Sequence, residues 1–215
     1  MFRVIIGAIP AGLAMFVLGF IFFASGLQNI ATGSLPDPQA AAVRQALAAN
    51  VTTEGTGTYL IPNPDSSAEQ ASMYGDGPVA TVHYNTRGFA NNDSGSLLGG
   101  LVLNFIVALL IGAALIGIDR RVPDFNSRAR MVAIFAVAAS AYMHLKEPLF
   151  YHHDWPHFIY TFLADAITLT AGGVILARWF LPKGVSAPAE GVAAEVHPHH
   201  TSTDTATNHE PSPRT

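Results

Sequence analysis

Two stretches of this chain run for more than twenty residues without a charged side chain, and they constrain the fold more than anything else in it. The first is VIIGAIPAGLAMFVLGFIFFAS, Val4 to Ser25. The second is LLGGLVLNFIVALLIGAALIGI, Leu97 to Ile118, apolar except for Asn104. An α-helix needs about 20 apolar residues to cross ~30 Å of hydrocarbon, so each is long enough to span a bilayer. Pro10 lies in the first half of the first segment, where a membrane helix tolerates it. Arg3 followed by an apolar run and ASG also fits a signal peptide, but signal h-regions run only ~7–15 residues, so an uncleaved helix is expected.

Two further segments complete a four-helix layout. FIYTFLADAITLTAGGVILA, Phe158 to Ala177, is flanked by Trp155 and Trp179 in the manner of an aromatic belt and carries Asp165 within it. The third helix in chain order is weaker. MVAIFAVAASAYM covers only ~20 Å at ~1.5 Å per residue, so to span it is expected to run on through His144, Lys146 and Glu147. Only 12% of residues are charged, against about 25% in a soluble domain. The expected fold class is therefore membrane all-α, four transmembrane helices with a small α+β extracytoplasmic segment between helices one and two. The domains are residues 1–25 (helix one), 26–96 (outer segment), 97–182 (three-helix region) and 183–215 (tail).

Arginine placement sets the expected orientation. Arg3, Arg120, Arg121, Arg128, Arg130, Arg178 and Lys183 fall on one side of this layout, and only Arg44, Arg87 and Lys146 on the other. The positive-inside rule puts both termini in the cytoplasm. The net charge of −4 comes with no basic patch of the kind nucleic acid needs, so nucleic acid is not an expected partner. With no cysteine, disulfides, thiol catalysis and iron–sulfur clusters are excluded.

In the outer segment, LPDPQAAAVRQALAAN reads as a short helix with Asp37 as N-cap, Pro38 in its first turn and Asn50 near its end. GTYLIP (57–62) and GPVATVHYN (77–85) read as short strands. So small a unit buries little core and is expected to lean on the helix ends or on a partner. It holds no nucleophile–base pair, and His83 reads as a strand residue, so an enzyme is not expected. The tail after Pro182 is rich in Pro, Ser, Thr and Ala and reads as disordered, with weak Zn²⁺ or Ni²⁺ affinity at His197 to His200 as the alternative.

These features resemble a family of small, uncharacterised bacterial integral membrane proteins with one N-terminal helix, an outer segment and three further helices. The resemblance rests on ALAAN (46–50), GTYLIP (57–62), Met73 and GPVATV (77–82), then Tyr160, LAD (163–165), Gly172 and Ala177. It covers about residues 4–181 and implies a bacterial inner (plasma) membrane location and this architecture, without implying an activity. YHHDWPH, ahead of the last helix, departs from the aromatic, Asn-containing turn of that family.

Polar groups inside apolar helices are functional-site hypotheses by default. Asp165 lies ~12 Å below the outer end of its helix and Asn104 ~10 Å below its own. With His144 and Thr161 they form the expected intramembrane polar cluster. His157, Thr161, Asp165 and Thr168 share one helical face. Three chemistries remain open. Structural glue would pair Asp165 with Asn104, and Lys146 with Glu147 or Asp154. A metal such as Zn²⁺, Fe or Mn²⁺ would use His144, His152, His153, His157 and Asp154, and haem b would use His144 and His157. The last is proton or solute passage. No cofactor is required. The loop YHHDWPHF reads first as a helix start, with Asp154 as N-cap and Pro156 in the first turn. The expected role is a non-enzymatic structural or accessory part of a membrane assembly, partnered by the bilayer and by itself or other membrane proteins. Gly99, Gly100, Gly172 and Gly173 are the expected close-packing positions.

Overall fold

The computed structural model describes residues 2–90 and 93–181; the tail reading, with Lys183 and His197 to His200, lies outside them. Three helices are long and apolar enough to cross a membrane: Phe2–Phe23, Ser94–Ile118 and Trp155–Phe180. The elements in chain order are α1 (Phe2–Phe23), α2 (Asp37–Val51), β1 (Gly57–Ile61), α3 (Ala68–Asp76), β2 (Ala80–Tyr84), α4 (Ser94–Ile118), α5 (Phe125–His144), α6 (Lys146–Phe150) and α7 (Trp155–Ile175), which a π-helical turn extends through Leu176–Phe180.

Helices α1 and α7 form the middle of the bundle, with α4 packed on α1 and α5 packed on α7. The core is built from small residues. Val4, Ala8, Ala11 and Met15 recur at three- and four-residue spacing on α1 and meet Ala108 and Leu115 of α4 and Leu176 and Ala177 beyond α7. Small side chains let helix backbones approach closely. A Cβ on Gly12 would stand 2.9 Å from Phe105 Cα, so α1 and α4 touch there backbone to backbone. Gly172 and Gly173 are neighbours on α7 that serve opposite helices: Gly172 makes room for Met15 of α1 and Gly173 for Val132 of α5. Gly99 has open space around it and Gly100 meets only the Phe16 ring, so close packing falls instead to Gly7, Gly12 and Gly112 beside the α7 pair.

The boundaries of α5 depart from the expectation. The helix does not run on through Lys146 and Glu147; it stops at His144, and its added length lies upstream, from Phe125. Pro148 supplies the reason. A proline lacks the N–H that would bond the carbonyl four residues earlier, and its ring clashes with that carbonyl; the carbonyl here is that of His144. After the turn at Leu145, α6 forms a separate short helix. At the other end Asp124 caps α5 by accepting from the Ser127 N–H at 2.8 Å. Arg128, only 2% exposed, donates from Nε to Val122 O at 2.6 Å and from a terminal nitrogen to Asp119 O at 3.1 Å. It thereby satisfies carbonyls left over where α4 ends.

The segment between α1 and α4 holds a two-stranded antiparallel sheet in which Thr58 faces His83 and Tyr59 faces Val82. Asp37 is the first residue of α2 rather than its N-cap: Pro36 holds the cap position and no side chain caps the helix. Helix α3 was not expected, although SAEQ, Ser67 to Gln70, has the capping-box spacing that announces one. Ser67 Oγ accepts from the Gln70 N–H at 3.1 Å, and Gln70 Oε1 accepts from Asn63 N–H. Val51 is the one buried residue among those described between 24 and 90. Polar side chains hold the unit together instead: Thr52 with Tyr84 at 2.6 Å, Thr56 with Thr86 at 3.1 Å and Thr58 with His83 at 2.9 Å. Its contacts with the long helices are sparse, so of the two supports expected for it the helix ends supply little.

Candidate functional site

Two of the polar residues singled out within the helices meet. His144 Nε2 lies 2.7 Å from Asp165 Oδ2, joining the last residue of α5 to the middle of α7. The two side chains are 20% and 31% exposed, so the pair is shielded without being sealed. An α-helix rises ~1.5 Å per residue, so Asp165 lies ~15 Å along α7 from Trp155. Because α5 ends at that level, it stops short of the Trp155 end of α7, and α6 with the loop Tyr151–Asp154 bridges the two helices.

The other members of the expected cluster stay on their own helices. Asn104 Nδ2 donates to Gly100 O at 2.9 Å within α4 and does not reach Asp165. Thr161 Oγ1 donates back to the carbonyls of His157 and Phe158. Thr168, buried on the same helix, donates to Ala164 O at 2.8 Å. These two threonine hydroxyls bond carbonyls of their own helix, which removes the cost of an unpaired polar group without any second helix. Ser140, one turn before His144, is fully buried, and its Oγ has no hydrogen-bond partner among the described residues.

The histidine loop is a helix start. Asp154 Oδ2 accepts from the His157 N–H at 3.1 Å, with proline in the first turn of α7. His152 is exposed, with φ 55°, a left-handed conformation uncommon outside glycine. His153 stacks between Tyr151 and Phe158, and its Nδ1 lies 3.6 Å from Glu147 Oε2. Lys146 pairs with neither Glu147 nor Asp154; its ammonium sits over the Tyr142 ring at 5.7 Å. His157 meets the Phe158 ring edge-on. Thus His152, His153, His157 and Asp154 surround the start of α7, while His144 is engaged with Asp165. Among the described residues no three His, Asp or Glu side chains converge as metal ligands.

Tyr160, in the sequence no more than a motif position, joins two helices. Its hydroxyl donates to Phe22 O at 2.6 Å, and its ring lies edge-on to Phe22 and Phe23. Phe22 holds one of the last carbonyls of α1, which no intrahelical donor serves. Tyr160 therefore ties α7 to α1, as Asp165 ties it to α5. A tyrosine near the end of an apolar helix was the available signal.

At the helix starts the electrostatics are those of caps. Asp93 is held below its ordinary pKa by the Ser96 hydroxyl at 2.8 Å and then the Ser96 N–H at 2.7 Å. Asp124 is held low by the Ser127 N–H first. Comparison of the chain with protein-family models, with curated proteins and with solved structures found no match.

Proposed function

We propose that this chain is a four-helix integral membrane protein of a bacterial inner membrane. In this reading α5 is the fourth span, both termini are cytoplasmic, and the non-enzymatic role is to present residues 26–96 for assembly with another membrane protein or a second copy. One observation carries the assembly role: the outer segment has almost no core of its own, yet it exposes Ile30 (77%), Leu35 (58%) and Phe89 (76%). Large apolar side chains left open on a unit with so little core are available for burial against a partner. The topology is supported by Arg3, Arg120, Arg121, Arg130 and Arg178 lying at the ends of α1, α4, α5 and α7 that pack together, where Val4 meets Gly112 and Phe180 meets Gly7.

The test is the size of the complex extracted in mild detergent, with Ile30→Ser, Leu35→Ser and Phe89→Ser combined. The triple variant should run at the mass of a single chain, while the parent runs larger. A parent that is already a lone monomer in membranes, shown by single-molecule bleaching, defeats the assembly role.

The His144–Asp165 pair favours a second reading, a small proton carrier, because a titratable pair shielded from water is what a proton relay requires. Purified protein in liposomes with a pH-sensitive dye tests it. Proton flux lost on Asp165→Asn supports this reading, and flux equal to empty liposomes ends it.

A further inference from the structure

Helices α4 and α5 leave a groove between them. Each packs on a middle helix, α4 on α1 and α5 on α7, and the two barely touch each other. The space holds a cavity of about 430 Å³, lined entirely by apolar side chains, among them Ile111, Leu115 and Ile118 of α4, Met131 and Phe135 of α5, and Leu169 of α7 at its floor. A lining of this kind has no group to orient a polar solute. At one end the lining runs directly into the basic loop. Arg120 and Arg121 follow Ile118 closely, and Arg130 immediately precedes Met131. All three are exposed, and none forms an ion pair with the described residues.

Resting on the membrane reading above, we propose that this groove is a binding site for an anionic phospholipid, its acyl chain between α4 and α5 and its phosphate on Arg120, Arg121 and Arg130. Charge complementarity selects the occupant. The stretch from Asp119 to Arg130, the turn after α4 and the first residues of α5, has four arginines and two aspartates, a net +2. Asp124 is engaged in capping α5, and Arg128 is turned inward on the carbonyls of Val122 and Asp119. A helix from a second copy of this chain would bring the same arginines to the same end and leave the charge unmet. A phospholipid supplies both halves at once. Guanidinium groups match phosphate oxygens in bidentate geometry, and basic sites between helices on the cytoplasmic side take anionic headgroups.

The experiment is native mass spectrometry of the full chain, delipidated in detergent and then offered phosphatidylglycerol or phosphatidylcholine. Phosphatidylglycerol should be retained at least about tenfold better. Arg120→Gln, Arg121→Gln and Arg130→Gln combined should abolish that preference while leaving the melting temperature near the parent's, since all three side chains are exposed. Filling the groove with Ala114→Leu and Ala139→Trp should reduce retention of both lipids. Equal retention by the parent, an unchanged preference in the arginine variant, or a dimer whose interface is α4 and α5 each overturns the proposal. Carbonate extraction of cell membranes separates its failure from that of its premise. A chain released by carbonate defeats the membrane reading, whereas a chain that stays in the pellet and shows no lipid preference defeats only the lipid site.

Discussion

Asp165 of α7 takes its hydrogen bond from His144, the terminal residue of α5, at 2.7 Å, and not from Asn104 of α4. Removing one side of a shielded polar pair strands the other, at a cost of ~1–3 kcal/mol. Asp165→Leu should lower the melting temperature in detergent, and Asp165→Asn should lower it less, because an amide oxygen still accepts. A double-mutant cycle with His144→Ala should return a coupling of about 0.6–2 kcal/mol. Zero coupling would show that the two side chains do not meet in the folded protein.

Gly12 and Gly99 should respond oppositely to alanine. At residue 12 a Cβ meets the Phe105 backbone, which has no flexible end to swing aside. Gly12→Ala therefore has to part α1 from α4 and should destabilise by ~1–3 kcal/mol, as overpacking does. Nothing lies near residue 99, so Gly99→Ala should be neutral or should gain up to about 1 kcal/mol from helix propensity. Thermal melts of the two variants in one detergent decide it, and equal effects would contradict the α1–α4 contact.

The caps at Asp93 and Asp124 predict an acid limb to stability. Both carboxylates have folded-state pKa values below their ordinary ones because Ser96 and Ser127 donate to them. A depressed carboxylate pKa contributes stability that is fully present well above the ordinary value and is lost as pH falls through the folded value, here below about pH 4. Asp93→Asn with Asp124→Asn keeps an acceptor at each cap and removes the titration. The variant should lose less of its melting temperature between pH 5 and pH 3 than the parent does, both values being roughly the span of carboxylate titration. Parallel curves would mean that other carboxylates govern the acid limb.

His152 separates a turn from a ligand. Its left-handed backbone is strained for any side chain with a Cβ. His152→Gly should hold or raise the melting temperature, and His152→Val should lower it, because β-branched residues resist positive φ. Elemental analysis of both purified variants completes the test: a stoichiometric metal present in the parent and lost from His152→Gly would make the loop a metal site.

Membrane sidedness is checked with single cysteines at Ser66 and Asn126, both exposed. In intact cells an impermeant thiol reagent should label the first and spare the second. Labelling at position 126 alone would invert the topology.

The sequence by itself determined where the three most apolar helices run, though not the bounds of α5. A stretch such as Leu97 to Ile118, without charge, buries its backbone polar groups only by bonding them internally, a constraint that acts along the chain and is legible there. The two strands and the Asp154 cap were legible for the same reason, each depending on neighbours within a few residues. Helix α3 is local in the same way, its start written in SAEQ. Tertiary structure decided what depends on how each helix is rotated about its axis and which helix lies beside it. Periodicity placed Asp165 on a polar face of α7, but the packing of α5 on α7 chose His144 as its partner. The glycines were visible as residues, yet only the helix contacts separated Gly12, Gly172 and Gly173 from the open Gly99. Arg128 read as one more cytoplasmic charge until the fold turned its guanidinium onto the carbonyls at the end of α4; a side chain's partner six or nine residues away along a turn is set by the path of the chain in space, and no local pattern specifies it.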